Sequence, residues 1–153
     1  MSGMAIDVLG VTQLTHALQG MVASLDTATR LATAQASHLL EREIKKTLAT
    51  SSHPRGTPTP SSPGEPPSLV TGTLRRSITV KGPLPLGIGR WEAQIGPTAV
   101  YGRIQELGGV TGRGGATVLP ARPYVHPAYA KLAASGALTH LYHSAWRAAM
   151  ARH

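Results

Sequence analysis

Apolar residues in the first third of the chain recur at Val11, Leu14, Leu18, Met21, Leu25, Ala28 and Ala32. The steps alternate three and four, which puts these side chains on one face of a helix. Leu39, Leu40, Ile44 and Leu48 prolong that face, so the pattern predicts one helix over about residues 11–49, with any kink falling near Gly20. Glu41 and Lys45 stand four apart and are expected to pair on its wet side. Such a stripe is either a coiled-coil seam or a single stripe buried against a sheet, and the second reading is favoured. Ala28 and Ala32 in its second half would let a neighbour approach closely.

The pattern then breaks. All 12 Pro lie between Pro54 and Pro127, together with 13 of the 17 Gly. Residues 53–67 hold six Pro, which excludes a helix or a central strand. A Pro-rich extended loop or arm is expected over 52–69. It is either a solvated linker or an arm that orders against a neighbouring subunit. Residues 71–77 read as a capped turn or short helix. Residues 77–81 and 91–95 alternate as two strands of a hairpin, joined by a turn-rich stretch over 82–90. Val100, Ile104 and Leu107 suggest a short helix over 99–107. A Gly-rich loop is expected over 108–116, strand pieces at 117–119 and 124–125, and a last helix over about 127–152, with Pro127 in its first turn.

The whole chain, 1–153, thus reads as a single α+β domain. A long N-terminal helix and a C-terminal helix pack on a small antiparallel β-sheet, with a long Pro-rich loop. Leu74, Ile78, Trp91, Ile95, Val100 and Ile104 are the expected core of its middle part. Replacing Trp91 by Ala would then cost about 3–5 kcal/mol. Gly72 and Gly96 are expected at tight turns beside strands. Arg75 and Glu106 are candidates for an ion pair, and Arg122 for hydrogen bonds to backbone carbonyls.

Composition narrows the chemistry. The 153 residues carry a net charge of +8 and no Cys, which excludes disulfides, a thiol nucleophile and Cys-ligated metal. No apolar run is long enough to span a bilayer, and residues 1–10 lack the pattern of a signal peptide. No phosphate-cradle motif or nucleophile elbow occurs, and Glu41 and Glu43 do not share a helix face. His140 and His143 stand three apart but lack the rest of a zinc motif. No enzyme activity, metal or cofactor is expected. Between residues 55 and 122, eight Arg and Lys face three Glu, a local excess that favours phosphate nearby. Arg55 and Arg113 are the candidate DNA-facing residues.

One set of residues carries a resemblance. Pro63, Gly64, Pro66 and Pro67 precede Thr71-Gly72-Thr73-Leu74-Arg75-Arg76-Ser77. A strand then ends in Gly96-Pro97, Tyr101 opens a helix ending in Glu106-Leu107-Gly108, and Arg122-Pro123-Tyr124 leads to Pro127. This order and spacing resemble a family of long-tailed phage proteins, the tail-completion or head–tail joining (neck, minor tail) proteins. Gly102 and Leu107 depart from the family, which tends to Ala and an aromatic there. The resemblance implies a non-enzymatic virion component made in the host bacterial cytoplasm. It would form a homo-oligomeric ring at the head–tail interface, six-fold by preference and twelve-fold as the alternative. Its partners would be neighbouring connector and tail proteins, with transient non-specific contact with DNA and none with a membrane. The alternative reading is a small basic DNA-binding protein.

Overall fold

The computed structural model describes residues 9–50 and 53–153. The expectation about a signal peptide falls largely on residues 1–8, and the expected start of the arm on residue 52; both lie outside the described residues. The fold is α+β, with a long N-terminal helix, C-terminal helices and small antiparallel sheets.

Helix α1 spans Leu9–Thr47 and runs unbroken through Gly20. At 1.5 Å per residue it is about 58 Å long. Lys45 Nζ donates to Glu41 Oε1 at 2.6 Å, and His38 bonds the other oxygen of that carboxylate. Helix α2 is the single turn Thr73–Arg76. Strands β1 (Ile78–Gly87) and β2 (Arg90–Pro97) pair as an antiparallel hairpin. The pairing continues through Gly82-Pro83-Leu84-Pro85, where a turn-rich connection is expected. The register shifts between Lys81 and Leu84, so the prolines occupy an irregular stretch that asks little of their missing N–H groups. Helix α3 is Gly102–Leu107.

The Gly-rich segment is more ordered than a free loop. Gly109–Thr111 forms strand β3, pairs antiparallel with β4 (Thr117–Leu119), and a 3₁₀ turn at Arg113–Gly115 joins them. Tyr124 and Val125 are not a strand piece, because α4 begins at Val125 and runs to Ala134. The expected single last helix is two. Gly136, in the left-handed region at φ 68°, separates α4 from α5 (Ala137–Met150).

The centre of the fold is where α1 ends. Ile44, Leu48, Ile78, Tyr124 and Ala128 are buried together, with Leu40, Leu74, Ile95 and Val125 packed around them. Trp91 and Ile104 are only half-buried, and Val100 is 99% exposed, so the expected core is corrected at those three positions. Val100 lies just before α3 starts, where the helical spacing that linked it to Ile104 does not apply.

Helix α5 lies antiparallel to α1. Tyr142 meets Thr33 at 3.0 Å, Trp146 meets Thr29 at 3.0 Å, and His153 meets Ser24 at 2.8 Å. Ala28, Ala32 and Ala149 are buried, so the small residues of α1 do admit a close neighbour. That neighbour is α5 as well as the hairpin, so the stripe is covered by a helix over part of its length.

Candidate functional site

The residues of the family-like pattern meet at one junction, where the Pro-rich segment, α2, α3 and the start of α4 come together. The segment 53–70 folds back on itself. Gly56 N–H donates to Leu69 O at 3.0 Å, and Ser68 Oγ donates to Thr59 O at 3.1 Å. Gly64, at φ 85°, turns the chain and donates its N–H to Ala121 O at 2.9 Å. The segment is thus tied to its own body rather than held out as an arm. Pro63 is exposed, whereas Pro66 and Pro67 are half-buried.

Arg122 is the main tie. Its Nε donates to Ser61 O at 2.9 Å, and its own N–H donates to Gln105 O at 2.7 Å. One residue therefore links the Pro-rich segment to α3. Arg75 does the same on the other side. Its Nε donates to Lys45 O at 3.0 Å, which holds α2 against the end of α1. Gly72, at φ 75°, opens that turn, where Thr71 Oγ1 and Thr73 Oγ1 stand 2.8 Å apart. Leu74 reaches the core, and Ser77 Oγ closes the turn by donating to Leu74 O at 2.8 Å.

Glu106 does not pair with Arg75. Its carboxylate accepts the backbone N–H groups of Tyr124 (2.7 Å), Val125 (2.9 Å) and His126 (2.9 Å). These are the first donors of α4, left without helical partners. The next residue is Pro127, which has no N–H to satisfy. One carboxylate and one proline therefore complete the start of α4, and Pro123 leads the chain into it. Directly beneath, Tyr124 is fully buried and its hydroxyl donates to Gly102 O at 3.0 Å. Burial pushes the phenol well above its ordinary pKa, and the Glu106 and Tyr101 charges add to this.

Glycines fix the close approaches. A Cβ on Gly102 would sit 2.6 Å from Pro97 Cβ, so Ala does not fit beneath this proline. Gly108 has φ 70°, and a Cβ there would meet Ala121 N at 2.8 Å. Gly96 is different. It lies within β2 opposite Thr79 with open space at its Cβ, so it marks no tight turn.

A cavity of about 370 Å³ lies within this junction, lined by Pro67, Thr71, Leu74, Arg75, Tyr101 and Arg122 among others. Tyr101 stands at its rim, 43% exposed. Arg55 lies exposed in the Pro-rich segment and Arg113 exposed in the 3₁₀ turn. His140 and His143 lie exposed on α5, and among the described residues no group of metal-binding side chains comes together.

Two features escape the sequence pattern. Asp26 Oδ1 accepts Gly89 N–H at 2.7 Å and Trp91 Nε1 at 3.0 Å, which pins the hairpin tip to α1. The clue is a lone Asp beside the apolar stripe. A basic surface gathers Arg42, Lys45, Lys46 and Arg75 around Glu41 at the end of α1. Its members come from segments about 30 residues apart, so only Lys45-Lys46 stands out along the chain.

No family model, no curated protein and no solved structure matches the chain.

Proposed function

We propose that the chain is a structural subunit of a phage neck, a ring-forming protein that joins or completes the tail at the head–tail interface and lets DNA pass. The observation that carries the reading is the use made of the charged residues in the family-like pattern. Arg75, Arg122 and Glu106 each bond backbone groups of a different segment. Charged groups that act on a substrate are typically free to meet it, whereas these three fasten α1, α2, α3, α4 and the Pro-rich segment into one block. A block tied at several points, with exposed apolar residues at its ends, suits a subunit that must hold its shape under load from neighbours.

No described helix is long and apolar enough to cross a membrane. The place proposed for the protein is the virion, in contact with connector and tail proteins, as a ring of six copies or alternatively twelve. The decisive experiment is electron microscopy of the assembled particle. A closed ring of this chain between portal and tail tube is the expected result. Its absence from purified virions would overturn the reading.

A second reading, a small basic DNA-binding protein, has one specific observation in its favour. Arg42, Lys45, Lys46 and Arg75 line a common surface, and Arg75 is held in place by its bond to the Lys45 carbonyl. Duplex binding by the monomer with a steep salt dependence, lost on replacing Arg42 and Lys46, would favour this reading over the ring.

A further inference from the structure

The Pro-rich segment turns one polar residue inward. Across residues 53–77, where Leu69, Val70 and Leu74 are available, only Ser61 is buried. It is 3% exposed, and its Oγ is the one buried side-chain polar atom without a hydrogen-bond partner among the described residues. A hydroxyl shut away from water with no partner is costly, and a methyl would fill nearly the same space. Packing accounts for a small residue at 61 but not for its oxygen.

Ser61 stands in the wall of the cavity where the Pro-rich segment, α2 and α3 meet. At about 370 Å³ the cavity falls in the range of small-molecule sites, about 300–1,000 Å³. That is the volume of about a dozen waters, so a body of about 10–15 non-hydrogen atoms fills it. Pro60, Pro67, Leu69, Leu74 and Leu119 give it an apolar lining. Ser61, Gln105, Arg75 and Arg122 add polar groups, and no Asp or Glu lines it. The bond from Arg122 Nε to Ser61 O, at 2.9 Å, holds this guanidinium beside Ser61. A guanidinium has five N–H donors, and the other four make no hydrogen bond among the described residues. The Gln105 side-chain amide makes none there either.

We propose that this cavity binds a small carboxylate with an apolar body. The carboxylate takes Arg122 N–H groups as a fork, the geometry in which a guanidinium meets it best. Ser61, turned between staggered positions about its χ1, donates its O–H to the same group. The apolar body covers the prolines and leucines. Two Arg and no acid in the wall select an anion, and Arg75 adds its charge without having to move from its bond to Lys45 O. The apolar lining selects an organic acid, because inorganic phosphate would leave it unfilled. The same chemistry is carried by a free acid and by the C-terminal residue of a peptide chain, and the probes below separate them. The site stands apart from the ring reading, and no outcome below bears on that reading.

The test is a titration of the full chain, followed in amide NMR spectra, with hydrocinnamate, its neutral amide, N-acetylphenylalanine and inorganic phosphate. Hydrocinnamate should shift Ser61, Leu69, Leu74, Gln105 and Leu119 saturably, with a Kd of about 0.1–5 mM for a molecule of its size. The neutral amide should bind at least about tenfold more weakly, since it lacks the charge the fork requires. Phosphate should leave these residues unmoved. N-Acetylphenylalanine mimics a chain end; binding tighter than hydrocinnamate assigns the site to a C-terminus, and weaker binding assigns it to a free acid. Ser61→Ala should keep or raise the melting midpoint of the free protein, because an orphaned hydroxyl is gone, and should weaken hydrocinnamate about tenfold. Arg122 also ties the fold, so the comparison of acid with amide is made on the parent and needs no Arg122 variant. No saturable shift at the lining residues up to about 20 mM, equal affinity for acid and amide, or a folded Ser61→Ala chain that binds as the parent does overturns the proposal. Shifts confined to Arg42, Lys45 and Lys46 overturn it too, as loose attraction of an anion to the basic surface.

Discussion

Glu106 offers the sharpest test of how the junction is held. Glu106→Ala removes an acceptor from three N–H groups at once. The His126 N–H belongs to an exposed residue and can turn to water, while the Tyr124 N–H belongs to a fully buried one. A hydrogen bond to a charged group contributes about 1.5–3 kcal/mol, and loss of a helix cap costs about 0.5–2 kcal/mol. The three bonds share one carboxylate, so they do not add in full, and a loss of about 2–4 kcal/mol is expected. For a chain of this length, that lowers Tm by about 4–16 °C. Glu106→Gln keeps one acceptor oxygen and should fall between Ala and the parent. The assay is urea unfolding of all three proteins, followed by circular dichroism and by tyrosine fluorescence. A Glu106→Ala variant within about 0.5 kcal/mol of the parent would refute the clamp, because that is the range of an ordinary surface change.

Gly102→Ala should destabilise by about 1–3 kcal/mol in thermal melts, since the new methyl meets the Pro97 ring, whereas Gly96→Ala should be near neutral. Trp91→Ala should cost about 2 kcal/mol, below the 3–5 kcal/mol of a core tryptophan, and Trp91→Phe about 1 kcal/mol from the lost bond to Asp26; a loss of 4 kcal/mol or more in urea unfolding would restore Trp91 to the core. The Lys45 and His38 hydrogen bonds hold Glu41 below its ordinary pKa of 4.5, and the Lys131 hydrogen bond does the same for Glu43. Depressed carboxylates stabilise the fold above pH 4.5 and lose that contribution as pH falls through their lowered values. The double variant Glu41→Gln, Glu43→Gln should therefore show a shallower acid-unfolding curve, and the difference should shrink in high salt because both pairs lie near the surface.

The long helix was legible because its signal is periodic. Seven apolar positions in strict three-four steps outweigh Gly20, whose penalty of about 1 kcal/mol is small against the contacts of a 39-residue helix. The hairpin strands were legible by alternation, but their extent was not. Pro83 and Pro85 read as breakers, and only the register shift across the strand pair reveals that they are accommodated. The split between α4 and α5 hung on Gly136 alone, in a run otherwise rich in Ala and Leu. The Glu106 clamp was hidden because its partners lie about 18 residues away and are backbone groups, which any residue can provide. Its one local trace is a helix start, Tyr124-Val125-His126-Pro127, with no Ser, Thr, Asp or Asn to cap it. A helix without a local cap borrows one from elsewhere, and the nearest unpaired acid before it was Glu106. Pairing Arg75 with Glu106 by opposite charge was the natural error, since charge is visible in a sequence and orphaned N–H groups are not.

The α1 stripe meets different neighbours along its length. Over Ala28 and Ala32 the face carries small residues and lies against α5, and beyond them Ile44 and Leu48 are buried against Ile78, Tyr124 and Ala128. From Leu18 back to Val11 it carries larger aliphatic residues and stays open. Between Leu18 and Ala28 the three-four spacing is unchanged, and what changes is side-chain size. Small residues suit a helix of the same chain, which is held near by its covalent connection and so gains from close approach at no loss of translational freedom. Larger aliphatic residues such as Ile44 and Leu48 instead fill the wider space between α1, the hairpin and α4. The small residues at Ala28 and Ala32 thus mark where α5 packs on α1, and the larger Ile44 and Leu48 mark where α1 meets the hairpin and α4.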